Sequence, residues 1–112
     1  MLVLFEDLIF EAKPLGGIGA THTFNNGVTI SVQASKGSYS KPREDLKSPN
    51  DFCSFEIAMW NKDGEWVTKN FVPNNNDNVA GWQDRSQINA LMLSLQCTEM
   101  WEYLQSKLNL NK

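Results

Sequence analysis

The sequence predicts an α+β fold: a small antiparallel sheet of two hairpins plus an N-terminal strand, packed against a C-terminal helix or helices. Three observations carry this. Residues 18–32 alternate apolar and polar about Asn26-Gly27, and residues 52–72 run into and out of an Asp63-Gly64 turn. From Ser86 onward the apolar residues recur at helical spacing. With 112 residues, 41% of them hydrophobic, the chain fits one domain, 1–112, large enough for a real core.

The N-terminal Met1-Leu2-Val3-Leu4-Phe5 is apolar, but Glu6 and Asp7 interrupt it, so neither a signal peptide nor a membrane span is expected. Leu8-Ile9-Phe10 supplies a short strand core that Pro14 terminates. Gly16-Gly17-Ile18-Gly19 has neither the third glycine of a dinucleotide fingerprint nor the Gly-Lys-Ser/Thr of a phosphate loop, and is expected to be a flexible connection. Ile18, Ala20, His22 and Phe24 share one face of the next strand. Asn26-Gly27 can both take positive φ, the requirement of a two-residue type I′ turn, and residues 28–32 return with the same alternation.

Residues 36–51 form a polar loop with two prolines, Pro42 and Pro49. A loop of this length inside a domain is usually functional or disordered. Cys53, Phe55, Ile57 and Met59 then mark the core face of a strand, with Ser54, Glu56, Ala58 and Trp60 on the other. After Asp63-Gly64, Val67, Lys69 and Phe71 alternate with Trp66, Thr68 and Asn70, the mixed pattern of an edge strand. The helix is expected to start near Asp84 or Ser86, either of which can cap it. Ile88, Leu91, Met92 and Leu95 make the stripe that lies on the sheet. A second stripe, Cys97, Trp101, Leu104 and Leu108, is offset by nine residues, which on a straight helix is roughly 180°. Either the helix breaks near Thr98, or residues 98–112 bury that stripe against another subunit. A homo-oligomer, dimer or higher, is the expectation.

Net charge is −3, which argues against a DNA or RNA polymer as partner, since neutralising many phosphates takes a basic face. A small anionic ligand needs only one or two placed cations and a stacking surface. Two separated cysteines and one histidine, His22, do not make a disulfide scaffold or a metal set, and reduced thiols fit a cytoplasmic protein. No nucleophile with a base and no unlike carboxylate pair stands out, so no enzyme activity and no cofactor are expected.

Aromatic residues are the better candidates. Trp60, Trp66, Phe71 and Trp82 gather around the second hairpin and the helix entry, and aromatic planes stack on bases. Arg43 and Arg85, the only arginines, can fork onto a phosphate, and the N–H groups at the helix entry favour an anion, for which Asp84 competes. The candidate ligand-binding residues are therefore Arg85, Trp82, Arg43, Trp60 and Phe71. Each has a plainer alternative, packing for the rings and surface charge for the arginines.

Phe5-Glu6-Asp7-Leu8-x-Phe10, Phe24-x-Asn26-Gly27 with Ile30-Ser31-Val32, Phe55-Glu56-Ile57-Ala58, and Asp77-x-Val79-x-Gly81 before a Leu-rich helix together make a pattern. It resembles the small phage proteins of the first Thoeris anti-defence family. The resemblance implies a nucleotide sponge, in which cyclic ADP-ribose isomers made by host immune enzymes, and cyclic oligonucleotides at separate sites, are bound uncleaved in assemblies of several subunits. Arg43 and Arg85 come forward from their chemistry alone. A protein–protein inhibitor or interaction module acting on a host protein is the alternative, with the exposed tryptophans and the second helix stripe as its interface.

Overall fold

The computed structural model describes the backbone of residues 2–109 and the side chains of residues 2–97. Five strands, β1 (Glu11–Ala12), β2 (Ile18–Thr23), β3 (Thr29–Ala34), β4 (Phe55–Trp60) and β5 (Val79–Gln83), pair antiparallel in chain order as one meander. Among the described residues two α-helices, a single turn α1 (Thr68–Phe71) and the long α2 (Arg85–Asn109), and two short 3-10 turns at Phe5–Asp7 and Pro49–Asp51 complete the α+β fold.

The β2–β3 hairpin forms where the alternation places it, with His22 opposite Ile30 and Ala20 opposite Val32. Its turn is not the two-residue kind that Asn26-Gly27 suggests. The Phe24 N–H donates to the Val28 carbonyl at 2.9 Å, the Gly27 N–H donates to the Phe24 carbonyl at 2.9 Å, and Gly27 alone of the loop takes positive φ, +88°. This is a three-residue loop closed by a left-handed glycine, which suits the strand twist as well as a primed turn does.

One face of the sheet carries the core. Ile30, Val32, Phe55, Ile57 and Met59 meet Ile88, Met92 and Leu95 of α2, all fully buried. Burying each of the larger side chains contributes about 1.5–3 kcal/mol, so this stripe-on-sheet contact supplies most of what holds the layers together. Asp84 caps α2 reciprocally with Gln87. The Gln87 N–H donates to Asp84 Oδ1 and the Asp84 N–H to Gln87 Oε1, both at 2.8 Å. The N-terminal arm is clasped to the same helix. Gln96 accepts from the Val3 N–H and donates to the Val3 carbonyl, both at 2.8 Å, and Asn89 Oδ1 accepts from the Phe5 N–H at 2.7 Å.

Two further expectations are corrected, and one open alternative is decided. Residues 67–71 are not a strand: the second hairpin closes with a single Trp60–Trp66 bridge and then coils into α1. The physical reason is Thr68. Its buried hydroxyl accepts from the Met59 N–H at 2.9 Å and donates to the Asn78 carbonyl at 2.6 Å, while the Val67 N–H donates to the Met59 carbonyl at 2.9 Å. A side chain thus occupies the ladder position that a further strand residue would fill, and β5 supplies the pairing beyond it. Second, Cys53 is exposed, outside the core face assigned to it, as is Cys97. Of the two alternatives at Thr98, the structure takes the unbroken one, with α2 running on through it. The side chains of Trp101, Leu104 and Leu108 lie outside the described residues. Among the described residues no helix is long and apolar enough to cross a membrane.

Candidate functional site

The sheet's irregularity is local to β5. Phe55 pairs with Gln83 and Ile57 with Ala80, so Glu56 alone on β4 faces both Gly81 and Trp82. That is a β-bulge, the device by which a strand re-aims a side chain. Trp82 pays for it with φ of +51°, in the left-handed region that disfavours every residue but glycine and, more mildly, asparagine and aspartate. Its indole is nonetheless 56% exposed. A bulky residue held in a strained conformation and left open to solvent costs of order 1–3 kcal/mol in the free protein, which is the kind of outlier that binding sites carry.

Tyr39, from the long loop, is what the bulge meets. The Tyr39 carbonyl accepts the Trp82 N–H at 2.9 Å, and the two rings lie 5.2 Å apart at 38°. Gly81 permits the approach: a Cβ there would lie 2.6 Å from the Tyr39 Cβ. The guanidinium of Arg43, an exposed residue, sits 5.3 Å from the centre of the Tyr39 ring in a cation–π contact. Beneath the loop, Glu56 is buried and accepts the Tyr39 N–H at 3.3 Å. Its other oxygen accepts from Gln33 Nε2, and Gln33 Oε1 accepts from the Lys13 ammonium. The loop is further tied down by the Ser35, Ser38 and Ser40 hydroxyls and by the Lys36 N–H, which donates to Asp45 Oδ1 at 2.8 Å. The first part of the loop, around Tyr39 and Arg43, thus lies over Glu56 of β4 and Trp82 of β5, whereas Leu46 packs against the core and Pro49 and Asn50 meet Arg85 at the start of α2.

Of the five candidates, Arg43 and Trp82 are brought together, through Tyr39. Trp60 stands apart, packed edge-on to Trp66 at 5.7 Å. Phe71 is half-buried against the core. Arg85 reaches back over the Phe5 ring at 4.7 Å and donates to the Pro49 carbonyl and Asn50 Oδ1 at 2.9 and 3.1 Å, tying the helix entry to the loop's end. The anion position at the helix entry is taken by Asp84 itself, through the Gln87 N–H.

Tyr39 and Glu56 were not among the sequence candidates. Tyr39 is a lone aromatic in a polar loop, and its only signal was the loop's length. Glu56 had one signal, a carboxylate placed mid-strand between Phe55 and Ile57, where an unpaired charge would be costly. On the same sheet, Ile9, Glu11, Lys13, Gly19, Thr21 and Ser31 line a surface concavity of about 450 Å³. Among the described residues no three His, Cys, Asp or Glu side chains converge as metal ligands. What the stack offers chemically is a planar apolar surface beside an exposed cation, suited to an aromatic ring that carries a negative charge. Comparison with known proteins returns no family model, no curated protein and no solved structure that matches this chain.

Proposed function

We propose that the protein is a binding module that captures a small cyclic nucleotide, a cyclic ADP-ribose isomer or a cyclic oligonucleotide, and holds it uncleaved. In this reading it is a phage anti-defence protein that sequesters an immune signal in the host cytoplasm. The observation that carries the reading is the Arg43–Tyr39–Trp82 stack, with Trp82 exposed at positive φ. A base stacks on the indole, and the Arg43 guanidinium forks onto the phosphate. The test is a thermal-shift panel of cyclic nucleotides. A ligand present at about 100 times its Kd should stabilise the fold by roughly 2.7 kcal/mol. Chromatography after heat denaturation should return it intact; a product peak that grows with time would overturn the binding-only mechanism.

A second reading, an interaction module for a host protein, is favoured by a different observation. Trp66, Ile9 and Leu15 are 48%, 79% and 98% exposed, and none belongs to the stack. Trp66→Ala separates the two readings, since it should leave nucleotide affinity unchanged and weaken only a protein contact.

The proposal includes assembly. The apolar positions Trp101, Leu104 and Leu108 are out of phase with the Ile88–Leu95 stripe along one unbroken helix, and a second copy is the simplest cover for them. Light scattering of the intact chain should give at least a dimer mass, and a chain ending at Cys97 should lose it. A monomeric mass for the intact chain would remove this part of the proposal.

A further inference from the structure

Glu56 is buried to 8% exposure, where a charge is costly unless its oxygens find donors. It is the single β4 residue opposite the Gly81–Trp82 bulge, and one of its oxygens holds the backbone N–H of Tyr39. Its other oxygen ends a row that crosses the sheet, from Lys13 through Gln33. The row is directional. The Lys13 ammonium has only donors, so Gln33 must turn its carbonyl to Lys13 and its amide N–H to Glu56. Glu56 must then be an acceptor on both sides, towards Gln33 and towards Tyr39. A carboxyl group offers an acceptor oxygen to each side, whereas an amide in its place offers one oxygen and one NH2.

We propose that Glu56 is the positioning residue of the Arg43–Tyr39–Trp82 platform: as the double acceptor at the end of the Lys13–Gln33 row, it sets where the Tyr39 ring meets the indole. The ligand-binding consequence rests on the reading of that platform as the nucleotide site. The geometric claim about the rings does not.

The chemistry makes a specific substitution pattern informative. In Glu56→Gln the amide oxygen can still accept from Tyr39, but its NH2 then faces the Gln33 NH2. Turning Gln33 over relieves that clash and sets its NH2 against the Lys13 ammonium instead, so one donor–donor contact always remains. Gln33→Glu alone places two carboxylates side by side. The exchange Gln33→Glu with Glu56→Gln satisfies every group: the carboxylate introduced on β3 would accept from Lys13 and from the new amide on β4, whose oxygen accepts from Tyr39. Both single variants are frustrated and the double is not, so the cycle should show strong coupling.

The experiment uses the full chain and two readouts: Tyr39–Trp82 ring-to-ring nuclear Overhauser contacts without ligand, and the Kd of the best cyclic nucleotide from the panel. Glu56→Gln should lose the ring contacts and weaken binding about tenfold. The exchange variant, which has the same net charge as the parent, should restore the contacts and bring affinity back to within about twofold. Ring contacts that persist in folded Glu56→Gln would overturn the proposal. So would a folded exchange variant that fails to restore them. If the ring contacts are lost and regained as stated but no cyclic nucleotide binds even the parent, the positioning role stands and the nucleotide reading falls. Should Glu56→Gln fail to fold, the exchange variant and Tyr39→Phe decide. Tyr39→Phe keeps the backbone N–H that Glu56 holds, so both must keep the ring contacts, and their loss in either would overturn the proposal.

Discussion

Arg43→Ala combined with Trp82→Ala is expected to weaken cyclic-nucleotide binding about 100-fold or more, with little change in the melting temperature of the free protein. Losing an aromatic stacking partner typically costs about 1–3 kcal/mol, and losing a charge-assisted hydrogen bond about 1.5–3 kcal/mol. Neither residue belongs to the buried core: Arg43 is exposed and Trp82 more than half so. Trp82→Gly sharpens the test. Glycine accepts φ of +51° without strain, so this variant should be about 1 kcal/mol more stable than Trp82→Ala while binding equally poorly. Calorimetry for affinity and thermal melts for stability check both halves. Parent-like affinity in the double variant would move the binding surface away from the stack and towards Trp60 and Trp66.

Thr68→Val should produce the largest loss of stability from a substitution of nearly constant volume. The hydroxyl is fully buried and is the acceptor for the Met59 N–H in the middle of the core. Valine fills the space but leaves that N–H without a partner, at a cost of about 1–3 kcal/mol, and removes the bond to the Asn78 carbonyl as well. The melting temperature should fall by roughly 10 °C. Thr68→Ser, which keeps the hydroxyl, should recover most of the loss. Equal losses in the two variants would show that the methyl group, not the hydroxyl, is what the position needs.

The core and the first hairpin were legible because they obey simple periods. Ile18, Ala20, Ile30 and Val32 alternate, Ile88, Leu91, Met92 and Leu95 recur at helical spacing, and all eight are buried where those periods place them. The second half of the sheet was less legible, because side chains there do what backbone does elsewhere. Thr68 substitutes for a strand residue and ends an otherwise plausible hairpin. Gly81 and Trp82 interrupt the alternation of β5 with a bulge, so residues 79–83 read as the approach to a helix. Of the candidate site, Arg43 and Trp82 could be picked out by residue type. Their meeting point could not, since it depends on a loop crossing from β3 to β5 and on Tyr39 landing against a glycine.

The chain-order meander also governs how the native state comes together and opens. Every strand pairs with its sequence neighbour, so even the long connections of the sheet, residues 35–54 between β3 and β4 and residues 61–78 between β4 and β5, close at a lower entropic cost than contacts between residues near opposite ends of the sequence. The clasp between the N-terminal arm and α2 is different. Its bonds join residues 93 and 84 positions apart, Val3 to Gln96 and Phe5 to Asn89, with no local pairing to bring them together. The arm therefore docks late in folding and lifts early, so the Val3 and Phe5 amides should exchange with solvent hydrogen well before those of Ile30 or Met59. Gln96→Ala should then hasten unfolding with hardly any effect on the folding rate, the behaviour of contacts that form after the transition state; stopped-flow folding and unfolding rates of the variant check this.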